Sequence, residues 1–325
     1  MALPTPYPND FCTAGIGPDP RHPENDWAEV APGRWERTDQ WGNVWARVSP
    51  TTSGEVVRGA LEDWGHLDEV EMPDFNLPER YEQARKTFAA HPDQFKMGFI
   101  PGFPFSIARY MRRMENFLAD VAGEPDTVVR LLEKVEGQVH HMIRRMAQAG
   151  AEGIFFCEDW GTQDRLLVSP AAFRRIFKPG FVRLCRCAHE RGLFVFMHSC
   201  GCVYEAMNDL IAAGIDLFQF DQPALYGVER LADEFGGRVS FQCPVDIQRT
   251  LQTRDPVLIE KDARKMVELL GGKGGGFVAG YYWSNEGIDM DPAVQDVACQ
   301  AFVKWGAPRL WQELKKSLPV VRIGD

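Results

Sequence analysis

The sequence predicts a single (β/α)8 barrel of the TIM type, preceded by an N-terminal extension that contains a β-hairpin. Three observations predict it. From Met97 onward, six short strand-like runs are separated for the most part by helical segments. Those runs are apolar on both faces, as in a parallel sheet covered on both sides. The chain of 325 residues is long enough for one large barrel, and no linker after residue 33 divides it. The expected division is an irregular segment at 1–33 and a barrel domain at 34–325.

The elements follow in order. Residues 1–33 are rich in Pro, Gly and Asp. Residues 34–48 read as a hairpin around Gly42-Asn43, with Trp35, Trp41 and Trp45 on either side. Residues 55–64 and 77–90 read as helices, and 97–100 as a strand. Val128, Leu131, Val135, Val139, Met142 and Met146 recur at helical spacing. Residues 153–157 form a continuous apolar strand. Ser169-Pro170 supplies an N-cap and a first-turn proline for a helix reaching about residue 190. Strands at 193–197, 215–220, 239–242 and 276–281 then alternate with helices at 203–213, 228–234, 255–270 and 292–304. One or two further strands in the first third would close the barrel.

Composition narrows the partners. A formal net charge of −10 and a pI near 5.3 argue against nucleic acid and anionic membrane. No apolar segment approaches the ~20 residues that span a bilayer. The eight cysteines are scattered among strands and helices, as reduced thiols in a cytoplasmic protein would be.

In such a barrel, chemistry gathers at the C-terminal strand ends. Here these carry Glu158-Asp159-Trp160, His198-Ser199-Cys200, Asp221-Gln222, Gln242-Cys243 and the run from Tyr281 to Glu286. His198 and Cys200, two apart where a strand leaves into a loop, can turn toward one point. Imidazole nitrogen with thiolate sulfur favours zinc over magnesium or calcium. Asp221, Cys243, Cys202 and Glu158 are candidates to complete the site. Spacing alone weighs equally a hydrogen-bonded barrel histidine beside a small buried thiol. Cys157 is expected in the core, Cys185 and Cys187 in structural roles, and His140-His141 on a polar helix face.

The segments His198-Ser-Cys-Gly, Asp-Leu-Phe-Gln-Phe-Asp-Gln-Pro at 216–223 and Val-Asp-Ile-Gln-Arg-Thr-Leu at 245–251 resemble the uroporphyrinogen decarboxylase superfamily. Gly-Gly-Gly-Phe-Val at 274–278, Glu-Asp-Trp-Gly-Thr-Gln at 158–163 and Leu-Leu-Val-Ser-Pro at 166–170 add to the resemblance. So do Trp41-Gly and Met72-Pro-Asp. It covers about residues 35–305 and implies one (β/α)8 barrel. True decarboxylases of this group carry an N-terminal Arg-Gln-Ala-Gly-Arg segment that grips substrate carboxylates. It is absent here, where the first 22 residues hold only Arg21.

The resemblance is closer to the cobalamin-dependent methyltransferases and O-demethylase components. It implies one zinc on His198 and Cys200, activating a small methylated donor such as a methoxy-aromatic. The methyl group would pass to a corrinoid carried by a partner protein. The third ligand of that branch, a Cys at the last strand, is missing from 277–286. Asp221 and Cys243 are therefore the leading metal candidates beside the pair. Glu158, Asp159 and Tyr282 are the candidate catalytic groups, with Phe105, Trp160, Tyr282 and Trp283 as an aromatic substrate slot. A homodimer is compatible, since members of the group are monomers and dimers. The alternatives are cofactor-free decarboxylation, a non-catalytic barrel that docks a corrinoid protein, and thiol chemistry at Cys202 near a helix start.

Overall fold

The structure is a computed structural model that describes residues 7, 9–22, 24–50, 52–273 and 276–307. Residues 1–6, 8 and 23 of the expected first segment lie outside the described residues. So do 51, 274–275 and 308–325 of the second, including two glycines of the 274–278 motif.

The chain opens on β1 (Phe11–Ala14). Then β2 (Ala28–Ala31), β3 (Arg34–Thr38), β4 (Val44–Arg47) and β5 (Glu55–Arg58) form a four-stranded antiparallel sheet of their own. The hairpin stands where Gly42-Asn43 places it, with Gly42 at φ +85°. Asp39 closes the turn by accepting from Trp41 N, Asn43 N and Trp45 Nε1 at 2.9, 3.0 and 2.7 Å. Two expectations are corrected here. The segment 1–33 is not irregular throughout, because it contains β1 and β2. Residues 55–64 are not a helix: Glu55, Val56 and Arg58 pair with β4, the β-branched Val57 lies at a bulge between them, and a short 3-10 turn at Trp64–His66 follows.

The helical layer is built from α1 (Glu82–Ala90), α2 (Pro104–Arg112), α3 (Met114–Gly123), α4 (Pro125–Ala149), α5 (Pro170–Ala172), α6 (Lys178–His189), α7 (Met207–Ala213), α8 (Val228–Phe235), α9 (Pro256–Leu270) and α10 (Pro292–Gly306). Ser169 Oγ caps its helix by accepting from Ala172 N, and a π turn at Phe173–Phe177 joins α5 to α6. Between the helices run β6 (Phe95–Phe99), β7 (Gly153–Cys157), β8 (Phe194–His198), β9 (Leu217–Gln219), β10 (Ser240–Cys243) and β11 (Phe277–Ala279).

With β1 these make one parallel sheet in the order β1-β6-β7-β8-β9-β10-β11. It has seven strands rather than the eight expected, and no ladder among the described residues joins β11 to β1. The sheet curls nonetheless. Phe11 and Phe196 stand three ladders apart, about 14 Å in a flat sheet, yet their rings are 6.3 Å apart. Inside the curl Met97, Phe196 and Leu217 pack with Phe11, Phe95, Phe155 and Val278. The larger core lies outside it, between sheet and helices. Among the described residues no helix is long and apolar enough to cross a membrane. All eight cysteines are free.

Candidate metal centre

Strand alternation decides which residues face the interior. On β7, Phe155 belongs to the inner cluster, whereas Phe156 stacks on Phe103 in the outer core at 3.7 Å. The same parity carries Cys157 and Asp159 inward, and Glu158 and Trp160 outward. On β8 it carries Phe196, His198 and Cys200 inward, and on β9 Leu217, Gln219 and Asp221. The registers Cys157↔His198 and His198↔Gln219 set these side chains at one level.

Asp159, His198 and Cys200 meet there. One donor atom from each lies within 4.8 Å of the others, the only such group among the described residues. Cys200 Sγ is 3.3 Å from His198 Nε2, which is 3.5 Å from Asp159 Oδ1. The two loops that carry them are stitched together. Glu158 N donates to His198 O at 2.9 Å and Cys202 N donates to Thr162 O at 2.7 Å. Cys200 N donates to Asp159 Oδ1 at 2.8 Å. Gly201 sits at φ +73°, and a Cβ there would lie 2.1 Å from Gly161 O. The contact between the loops therefore requires glycine.

A second layer orients the first. Gln219 Nε2 donates to Asp221 Oδ1 at 2.8 Å, which leaves Gln219 Oε1 as acceptor. His198 Nδ1 meets that oxygen, so Nδ1 carries the proton and Nε2 offers its lone pair to the cluster. Arg109 Nη2 lies 3.6 Å from Asp159 Oδ2. Crowding by protein, then the Asp159 and Asp221 carboxylates, push the Cys200 thiol well above its ordinary range, although the residue reaches solvent at the mouth. Burial also raises the Asp221 carboxyl, against the pull of His198 and Gln219. The pocket is short of positive charge. Thiol, imidazole and carboxylate around one point are a zinc donor set with room for a fourth ligand, so the residues present fit that ion.

The remaining predicted residues fall elsewhere. Glu158 is fully buried on the helix side, where burial pushes its carboxyl up to about 8 against its hydrogen bonds. It accepts from Ser106 N and from Trp160 Nε1, both at 3.0 Å. Phe105 and Trp160 stack at 3.7 Å, buried in the outer aromatic core away from the inward cluster. Cys243 is buried on the parity of Phe241, away from the cluster. Asp221 faces inward and is joined to His198 by hydrogen bonds through Gln219. Cys202 gives its backbone N–H to the loop contact and precedes a single 3-10 turn and the seven-residue α7. Tyr282 is half-buried near the cluster, its phenol raised by burial and then by Asp221 and Cys200. Trp283 is exposed.

Three residues escaped sequence reasoning: Asp159 as third donor, Gln219 as orienter and Arg109 as the partner of Asp159. Strand parity was the available signal for the first two. Parity also identifies Phe99, an exposed aromatic on the inner face of β6 with its ring 6.1 Å from Phe155.

Known proteins place this geometry in context. A solved methyltransferase from Methanosarcina mazei is similar, with TM-score 0.62 and 17% identity over 82% of this chain and 74% of that one. That likeness speaks to the fold alone. A B12-independent methionine synthase from Shewanella sp. W3-18-1 aligns at TM-score 0.41 and 14% identity, over 73% of this chain and 67% of that one. A uroporphyrinogen decarboxylase from Syntrophotalea carbinolica is 28% identical over 183 residues, 54% of this chain and 50% of that protein. The chain thus spans about half the length of the curated relative it matches. The family profile described as uroporphyrinogen decarboxylase (URO-D) matches residues 49–305, from β5 through most of α10. Since that match takes in every strand of the curled sheet except β1, and all three cluster donors, the chain belongs to the uroporphyrinogen decarboxylase family.

Proposed function

We propose that the protein is a zinc-dependent methyltransferase, the demethylating component of a corrinoid system. It moves a methyl group from a small methylated donor, such as a methoxy-aromatic, to a corrinoid carried by a partner protein. The observation that carries the reading is the cluster of Asp159, His198 and Cys200 at the C-terminal strand ends. Asp159, rather than Asp221 or Cys243, completes the donor set. Zinc held there supplies a Lewis acid for the heteroatom that bears the methyl group. Gln219 keeps His198 in the donating tautomer. Phe99 and Phe155 offer an aromatic floor one layer below, and the Tyr282 phenol stands near the cluster as a hydrogen-bond donor to substrate.

The family name favours a second reading, decarboxylation of a porphyrinogen. Such a substrate carries many carboxylates and needs a pocket rich in arginine. Here the charged side chains that parity turns into the mouth are the acids Asp159 and Asp221, and Arg109 is already paired. The Methanosarcina mazei methyltransferase fold lends the methyl-transfer reading further support.

Metal analysis of the protein purified without chelator tests the proposal. About one zinc per chain is expected, lost in His198→Ala and Asp159→Ala and retained in Cys243→Ser. Reduced corrinoid protein with methoxy-aromatic donors should then give the methylated corrinoid spectrum. A protein without zinc that consumes a porphyrinogen would overturn the reading.

A further inference from the structure

The inference rests on the zinc reading above and concerns what holds the third donor in place. Arg109 projects from α2 with a side chain only 6% exposed. It cannot reach a substrate in the mouth as a free cation. Instead its Nη1 donates to Asp159 O at 3.2 Å, and its Nη2 lies 3.6 Å from Asp159 Oδ2. The Asp159 carboxylate is thereby divided. Oδ2 turns to the guanidinium, while Oδ1 faces His198 Nε2 and accepts from Cys200 N.

Arg109 is itself held from the other side. Nη2 donates to Tyr110 Oη at 3.1 Å, and the guanidinium lies 4.9 Å from the Tyr110 ring centre. Tyr110 packs on Trp45 of β4, ring centres 4.7 Å apart. Trp45 is in turn fixed by Asp39 at the hairpin turn. A continuous series of contacts thus runs from the antiparallel sheet to the donor cluster. The strands β2 to β4 precede residue 49, where the family match begins. They are therefore an addition to the part of the chain that matches the family.

We propose that Arg109 is a positioning residue for the metal centre. Its guanidinium aims Asp159 Oδ1 at the ion, and the N-terminal sheet, through Trp45 and Tyr110, sets where that guanidinium stands.

Zinc affinity by competition with a chromophoric chelator tests this, read together with the visible spectrum of the cobalt(II)-substituted protein. The proteins compared are wild type, Arg109→Gln, Arg109→Lys and Tyr110→Phe. Loss of a residue that orients a ligand typically weakens metal binding by 10–100-fold. About tenfold is expected for Arg109→Gln, with a shifted cobalt spectrum. Arg109→Lys should recover part of the affinity, and Tyr110→Phe should show a smaller loss in the same direction. Wild type that binds one zinc, with Arg109→Gln equal to it in affinity and spectrum, overturns the proposal. Should Arg109→Gln not fold, Tyr110→Phe decides by the same criterion, since it removes only a hydroxyl. Wild type that takes up neither zinc nor cobalt overturns the zinc reading itself.

Discussion

Gln219 fixes the proton on His198. Its Nε2 is committed to Asp221, so only its oxygen can meet His198 Nδ1. Gln219→Leu keeps the volume and removes that acceptor. The imidazole then loses its preferred tautomer and its orientation. Zinc affinity should fall by about 10–100-fold in a chelator competition, while Gln219→Glu, which keeps an acceptor, should lose less. An unchanged affinity in the leucine variant would mean that His198 is oriented by other contacts. At this scale the sequence was half legible. His198 and Cys200 are readable because they lie two apart at a strand end. Sequence reading gives Asp159 a catalytic rather than a ligating place, and it gives site places to Glu158, Trp160, Phe105 and Cys243, which the structure buries away from the cluster. Residue type and position near the rim do not separate the two faces of a strand. The two-residue alternation does, and it sends Asp159 inward and its neighbours Glu158 and Trp160 into the outer core.

Elements meet through a few buried polar contacts, and one of them carries a pH signature. Glu136 of α4 receives Arg183 Nε and Nη2 of α6, both at 2.6 Å. Burial raises its carboxyl, but the Arg183 and His140 hydrogen bonds outweigh that and hold it below the ordinary 4.5. A depressed carboxyl stabilises the fold above the unfolded value, and that stability is lost as pH falls through the folded one. Glu136→Gln should cost about 2 kcal/mol at pH 7, near the low end because Arg183 is partly exposed. In urea unfolding the gap to wild type should close below pH 4.5. A gap that does not narrow as pH falls from 4.5 toward the acid end of the unfolding range would assign the loss to packing. The long helices were legible because α4 repeats its apolar face for 25 residues. The short strands from β6 to β11 were legible as apolar runs, whereas β1 and β5 were not. β1 has four residues among Pro, Gly and Asp, and β5 needs β4 beside it to be a strand at all.

The fold of the whole molecule stands without the proposed zinc. A zinc finger is unfolded without its ion because it has no other core. Here the curled sheet closes over its own apolar cluster and the helices bury a much larger one. His198 ends β8, while Asp159 and Cys200 lie in the loops just beyond the strand ends, already joined by backbone hydrogen bonds and by the Gly161–Gly201 contact. Chelation should therefore leave a cooperative unfolding transition. It should lower the midpoint, since an ion that binds only the native state contributes about 4 kcal/mol at a thousandfold excess over its dissociation constant. In a chain of this size that amounts to several degrees. Calorimetry with and without chelator gives the answer. A midpoint that does not move would place the ion off the native site. A transition that loses its cooperativity would make the ion part of the fold, because the loops would then owe their arrangement to it rather than to their own contacts.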